Sequence, residues 1–271
     1  MNPVLWLEFR VRLRERKLWI LALLFLLLFG GIDLFTVIGS SWKNPETIPP
    51  SRIGMNLLGT NCATLMGLAL ILGWAIGAGR LTQEREQRTL TGLLNTPLTG
   101  SQIVLGKTGG GWALLLWYFS LTLPFFVFPW IWGGSEWGAA LLAFVICAAT
   151  GLVVAAVSIG LSGFFRRTTT SYVATGLLLL IWLLLLPILD ALVHTPFDEN
   201  QAPTALGTAF HYILLWHNPV AVLTVAMSGN DPNMPPLGAV LLDAGGVWLL
   251  LVLLCAAIGI RGLRRGLSEK L

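Results

Sequence analysis

Charged residues are scarce in this chain: Asp, Glu, Lys and Arg make up 11% of its 271 residues. A soluble domain usually carries about 25% charged residues, so this composition excludes an ordinary water-soluble enzyme. Cysteine is also rare, with only Cys62, Cys147 and Cys255, and all three lie inside long apolar runs. This placement excludes an extracytoplasmic disulfide framework and a cysteine-based metal finger.

Apolar residues, by contrast, account for 55% of the chain, and its mean hydropathy is +0.77. Six segments are apolar enough to cross a bilayer, which takes about 20 residues of helix. They are Leu18 to Gly39, Thr60 to Gly79, Trp112 to Trp132, Trp137 to Gly163, Ser171 to Leu192 and Leu237 to Ile260. None shows the alternating pattern of a membrane barrel. The sequence therefore predicts an all-α polytopic membrane protein with six transmembrane helices, forming a single domain over residues 1–271.

Lys and Arg are unevenly distributed between the two ends of these segments. Fifteen of the seventeen fall in the N-terminus, the C-terminal tail and two alternate connections, all on one side of the predicted bundle. Only Lys43 and Arg52 fall on the other side. Because positively charged connections stay in the cytoplasm, we expect both termini and the connection 80–107 to be cytoplasmic.

The connection 193–236 contains an apolar stretch, residues 209–228, that could be taken for a seventh span. A crossing there would move the basic C-terminal tail to the outer face. Asn218-Pro219 also interrupts the stretch, because proline lacks a backbone donor and disfavours helix in the preceding residue. We therefore expect two short extracytoplasmic helices that pack against the bundle.

The N-terminal segment 2–17 combines apolar and Arg-rich positions ahead of the first span. Asn2-Pro3 can begin a helix, and Leu5, Phe9 and Leu13 would share one face of it. The following apolar run is longer than the roughly 7 to 15 residues of a secretory signal. We expect an uncleaved helix lying at the membrane interface.

The connection 80–107 carries the most informative sequence. Arg80, Glu84 and Arg88 have i, i+4 spacing, which predicts a charge ladder on a continuous helix and leaves Glu86 available to a partner. An apolar patch follows at 90–94 and ends at Thr96-Pro97. Ser101 is then the predicted cap of the next helix. An apolar patch on a cytosolic connection favours a protein partner over a solvated turn.

This run, E-R-E-x-x-T-L-x-x-L-L-x-T-P-L-x-x-x-x-I-x-x-G-K, resembles the signature of ABC-2 type transporter permeases, the membrane subunits of a class of ATP-binding-cassette exporters. The matching positions are Glu84, Glu86, Thr89, Leu90, Leu93, Leu94, Thr96, Pro97, Leu98, Ile103, Gly106 and Lys107. Family members often have glycine where this chain has Arg88, so we expect the helix to continue through that position.

The resemblance implies a permease subunit in the bacterial cytoplasmic membrane that pairs with an identical or paralogous permease. It further implies that the connection 80–107 holds a coupling helix that docks on a separate cytosolic ATPase. The coupling residues would be Glu84, Glu86, Thr89, Leu90, Leu93, Leu94, Thr96 and Pro97. ATP and Mg²⁺ would bind to the partner, so we expect this chain itself to bind no cofactor and to be no enzyme.

Gly106-Lys107-Thr108 has the appearance of a phosphate-binding loop, but Gly100 precedes it by five intervening residues instead of four and no strand leads in. The three histidines, all in 193–236, match no metal motif, and no metal site is expected. No catalytic constellation or mid-span acidic cluster suggests a membrane-embedded enzyme.

Asp33, Asp190 and Asp243 lie near the outer ends of predicted spans. An intramembrane carboxylate is a functional candidate by default, so they could line a pathway for a cationic group or relay a proton. Alternatively, Asp33 and Asp190 reach the headgroups and Asp243 is favoured by its helix dipole. An ion-coupled secondary transporter using these aspartates is the alternative function. It predicts corresponding broken spans in two halves, and only Pro219 interrupts an apolar segment in that manner.

Two clusters of small residues predict close helix contact in lipid. They are Gly73-x-x-x-Gly77 and the run 158–163. Either could form a subunit interface, but internal packing is the favoured interpretation.

Overall fold

The computed structural model describes residues 16–43, 49–89, 99–134, 136–185, 188, 218–228 and 236–268. These residues contain no strand and form α1 (Arg16–Lys43), α2 (Pro50–Gly77), α3 (Arg80–Glu86), α4 (Gly100–Ile131), α5 (Trp137–Ser162), α6 (Thr168–Leu180), α7 (Pro219–Ser228) and α8 (Leu237–Ser268). A π-helical turn, Ile181–Leu185, extends α6. Six helical segments in the described part are long and apolar enough to cross a membrane. The predicted all-α polytopic fold is confirmed, while the interfacial helix predicted for 2–17 lies outside the described residues except at its last two positions.

Two spans begin earlier than the hydropathy predicts. Helix α2 begins at Pro50 instead of Thr60, with proline in the first turn, where its missing donor has no consequence. Helix α4 begins at Gly100 instead of Trp112 because a capping box at Thr99 defines its N-terminus. The Thr99 amide donates to Gln102 Oε1 at 2.9 Å and the Gln102 amide donates to Thr99 Oγ1 at 3.4 Å. Thr99 is therefore the cap, and the prediction of Ser101 was wrong.

Helix α5 lies at the centre of the bundle. It packs against α2, α4, α7 and α8, whereas α1 packs on α2 and α4. Most of its residues are buried, including every residue from Val154 to Gly160. By contrast, α1, α6 and α8 expose many large apolar side chains on the single chain. A lipid-facing or subunit-facing surface is therefore provided by these outer helices.

The small-residue clusters serve internal packing, as predicted. A Cβ added to Gly73 would lie 2.8 Å from the Gly151 carbonyl oxygen, and one added to Gly77 would lie 2.5 Å from Ser158 Cβ. Both neighbours are on α5. The run 158–163 packs against α8, where Gly163 approaches the backbone of Gly259. Only glycine lets these backbones come so close.

Helix α7 confirms the second of the two short helices predicted around Asn218-Pro219. Asn218 is buried, and its Oδ1 accepts from the Val220 amide at 2.9 Å, which caps the helix. The Asn218 Nδ2 donates to the carbonyls of Trp182 and Leu183, each at 3.4 Å, in the π-helical turn. The first short helix, expected over 209–217, lies outside the described residues.

Candidate functional site

Helix α3 is only seven residues long, yet polar contacts connect it to four spanning helices at one end of the bundle. We call this set of contacts the α3 junction. Its anchor is the amide of Leu81, which donates to Ser162 Oγ, at the end of α5, over 3.3 Å. Leu81 itself is almost fully buried against Ile103 and Ile159. The three residues Glu84, Arg85 and Glu86 then each contact a different part of the chain.

Glu84 forms an ion pair with Lys107 of α4. The Lys107 side chain is 2% exposed and that of Glu84 is 26% exposed, so the pair is largely shielded from solvent. Lys107 is a partner of Glu84 that the expected ladder of Arg80, Glu84 and Arg88 did not include. This ion pair also bears on the Gly106-Lys107-Thr108 motif, because Lys107 lies within a continuous helix and its ammonium is paired with a carboxylate.

Arg85 forms hydrogen bonds with the carboxyl-terminal ends of α5 and α8. Its Nη1 donates to the carbonyl of Phe165 at 2.9 Å, and its Nη2 donates to those of Gly163 at 3.1 Å and Gly262 at 3.4 Å. These carbonyls lie just after α5 and within the last part of α8. The planar guanidinium suits this task because its donors diverge in a fixed fork. No spacing in the sequence indicated these partners.

Glu86 contacts the start of α6. Its carboxylate accepts from the Thr168 amide at 2.8 Å and from Thr168 Oγ1 at 2.7 Å. A carboxylate at a helix N-terminus meets free amides and the positive end of the helix dipole. No local sequence pattern predicts this contact, because 82 residues separate Glu86 from Thr168. Glu86 remains exposed, and its contact with a partner stays a prediction.

Arg88 ends α3, which corrects the prediction of a continuous helix. Its φ of 58° is left-handed. The Arg88 amide donates to the Arg85 carbonyl at 3.2 Å and the Thr89 amide donates to the Glu84 carbonyl at 3.0 Å. These two bonds are those of a Schellman motif, in which glycine is the preferred left-handed residue. Here arginine adopts that conformation.

Comparison with known families identifies this architecture. Residues 2–262, almost the entire chain, match the sequence model of the ABC-2 family transporter proteins. The chain belongs to the ABC-2 transporter family. No curated protein sequence matches the chain significantly.

In this ABC-2 protein, the predicted coupling residues fall into two groups. Glu84 and Glu86 belong to the α3 junction, and Thr89 follows it with its Oγ1 donating to the Glu84 carbonyl at 3.3 Å. The other predicted residues lie outside the described part of the chain, and their coupling role stays a prediction. They are Leu90, Leu93, Leu94, Thr96 and Pro97.

The acidic residues of the ABC-2 protein do not form a described common site. Asp33 is 8% exposed and lines a cavity at the end of the bundle opposite α3. Asp243 is exposed on the single chain and does not line that cavity, and Asp190 lies outside the described residues. Among the residues described, no group of His, Cys, Asp and Glu could hold a metal ion.

Asn61 is a polar residue that the sequence reasoning missed. It is fully buried in α2, and its Nδ2 donates to the carbonyl of Phe125 at 3.1 Å. That carbonyl would normally accept from residue 129, but Pro129 has no amide proton. Asn61 thus satisfies a backbone acceptor that proline leaves free, as a membrane interior requires. A lone Asn within an apolar span was the signal that could have revealed it.

Proposed function

We propose that this chain is the permease subunit of an ATP-binding-cassette exporter. Two permeases, identical or paralogous, assemble with two cytosolic ATPase subunits in the bacterial cytoplasmic membrane. The ATPases bind ATP and Mg²⁺, and this chain provides the transmembrane path. Membership of the ABC-2 family supports the transporter role and does not favour the ion-coupled alternative.

The α3 junction is the observation that carries this proposal. The connection between α3 and α4 is flanked by the two members of one ion pair. Glu84 lies in α3, before the connection, and Lys107 lies in α4, after it. Arg85 and Glu86 link α3 to the ends of α5, α6 and α8. A displacement of residues 90–98 therefore reaches four spans through contacts of charged groups.

The coupling step follows from this arrangement. Closure of the ATPases on ATP moves the leucine patch, and α3 transmits the movement as a short lever. Ion pairs and charge-assisted hydrogen bonds are suited to this role because they are stronger than neutral hydrogen bonds and fix the orientation of the groups they join. The spans then shift between inward-open and outward-open arrangements, whose populations differ with the nucleotide state.

The distribution of charge supports a cytoplasmic position for the α3 junction. The end of the bundle that carries Arg80, Arg85 and Lys107 also carries Phe165 and Gly262, next to the basic pairs of the α5–α6 link and the tail. Positive residues concentrate on the cytoplasmic side. We propose that both termini lie there as well.

Co-purification tests the proposal. A tagged chain, extracted in mild detergent, is expected to bring down a cassette ATPase from its own host. Leu93→Asp should abolish that capture because it places a charge in the apolar patch, whereas Arg52→Asp at the opposite end should not. Capture of no ATPase, or equal capture by Leu93→Asp, would refute the proposed coupling.

A further inference from the structure

At the end of the bundle opposite α3, a cavity of about 350 Å³ is bounded by α1, α2 and α4. This volume lies within the range of small-molecule sites, which run from about 300 to 1,000 Å³. Its walls are mainly apolar and aromatic. They are formed by Gly30, Leu34, Val37, Leu57, Phe125, Phe128 and Trp132, with Asp33 as the charged residue.

Asp33 supplies this cavity with a buried carboxylate. Asp33 is 8% exposed, and the side-chain amide of Asn61, whose Nδ2 donates to the Phe125 carbonyl, lies beside it. Neither carboxylate oxygen of Asp33 forms a well-directed hydrogen bond within the described part of the chain. A buried carboxylate without such bonds is costly unless a ligand supplies them.

We propose that Asp33 binds the primary ammonium group of an amphipathic amine, whose apolar part occupies the cavity. This assignment rests on the proposed transport function and specifies its substrate class. An ammonium has three donors and no acceptor, which complements the two acceptor oxygens of a carboxylate. The cavity is far larger than a metal ion needs, and its apolar walls favour an organic cation.

The aromatic rings and the open side of the cavity fit the same ligand. Phe125 pairs with Phe29 at a centroid distance of 5.5 Å and with Phe128 at 6.3 Å, so fixed rings line one wall. Ring faces attract cations. Leu34 and Phe128 are exposed on the single chain, which opens the cavity to the side of the bundle. An amphipathic amine would enter there from the bilayer.

Equilibrium dialysis of the purified full chain with radiolabelled 4-phenylbutylamine tests this site. Asp33→Asn removes the charge without changing the shape, and binding should weaken at least about tenfold, as expected for losing a charge-assisted hydrogen bond. The control Glu136→Gln alters an exposed carboxyl at the start of α5 that does not line the cavity and should leave binding unchanged within about twofold.

A second comparison needs no variant. The N,N,N-trimethyl analogue keeps the positive charge and the phenyl group but has no N–H donors, so it should bind the unmodified chain at least about tenfold more weakly than the primary amine. Equal binding of the two ligands, or equal binding by Asp33→Asn and the unmodified chain, would overturn the proposal. A changed oligomeric state in Asp33→Asn with unaltered amine binding would instead assign the carboxyl to a subunit contact.

Failure of this site and failure of the proposed function give different results. Amine binding that depends on Asp33, in a chain that recruits no ATPase, would retain the site and reject the exporter. An ATPase partner together with amine binding that ignores Asp33 would retain the exporter and reject the site.

Discussion

The ion pair of Glu84 and Lys107 yields a quantitative prediction about the α3 junction. Glu84→Leu leaves the almost fully buried Lys107 ammonium without this partner, and Lys107→Met leaves a carboxylate that is about one quarter exposed. Breaking a buried pair by removing one member typically costs about 3 to 5 kcal/mol. We expect about 3 kcal/mol for Glu84→Leu and about 2 kcal/mol for Lys107→Met, the lower value because solvent can reach Glu84.

The double variant decides whether the pair acts as a unit. Replacing both members with apolar residues of similar volume is often neutral, so the double variant should lose no more than about 2 kcal/mol. The single losses would sum to about 5 kcal/mol, so a loss of about 2 kcal/mol in the double variant gives a coupling energy of about 3 kcal/mol. A value of that size is at the upper limit for residues in contact.

Unfolding in mixed micelles measures these energies. Each variant in mild detergent is titrated with sodium dodecyl sulfate, and the intrinsic fluorescence of the twelve tryptophans reports the transition. Glu136→Gln, at the start of α5 and away from the junction, is the control. If the two single losses add up to the loss of the double variant within about 0.5 kcal/mol, the pair is not coupled and the reasoning fails.

Three other positions give predictions for the same unfolding assay. Arg85→Met should destabilise the protein by about 2 to 4 kcal/mol because three carbonyls lose a charged donor. The control Arg52→Met, at an exposed position at the opposite end of the bundle, should change the stability by about 0.5 kcal/mol or less. Equal effects of the two variants would contradict the role of Arg85. Arg88→Gly should leave the stability unchanged or raise it. Arg88→Val should be about 1 to 2 kcal/mol less stable than Arg88→Gly, because a β-branched residue is strained in the left-handed conformation. The reverse order of stabilities would contradict the Schellman motif. Gly77→Ala should destabilise the protein by about 1 to 3 kcal/mol through overpacking against α5. The control Gly67→Ala adds a Cβ that would meet nothing within 4 Å, so its stability should stay within about 1 kcal/mol of the unmodified chain. Equal stabilities of the two variants would contradict the close approach of α2 and α5.

The number and type of the spans could be predicted because hydrocarbon imposes a helical backbone on any long apolar segment. Their starts at Pro50 and Gly100 could not be read from hydropathy. Both starts lie in polar sequence that precedes the apolar run, and they are set by a proline in one helix and a capping box in the other. Lys107 shows the difficulty, since a buried ion pair makes a charged residue part of a packed helix.

The α3 junction was only partly predictable. The motif drew attention to Glu84 and Glu86, but their partners are distant in sequence, and Arg85 had no distinguishing pattern. The departure from glycine at Arg88 was visible in the sequence, but it does not make the helix continue, because two backbone hydrogen bonds fix a left-handed turn there. Long-range hydrogen bonds follow from the packing of the spans and leave no local signature.

Site-specific photo-cross-linking at Leu93 tests the central claim most directly. A photo-reactive phenylalanine analogue at that position, irradiated in native membranes, should form a covalent product with a cytosolic cassette ATPase. The same analogue at Arg52 should give no such product. Cross-links from Leu93 only to lipid or to extracytoplasmic proteins, or an equal ATPase yield from Arg52, would contradict the account.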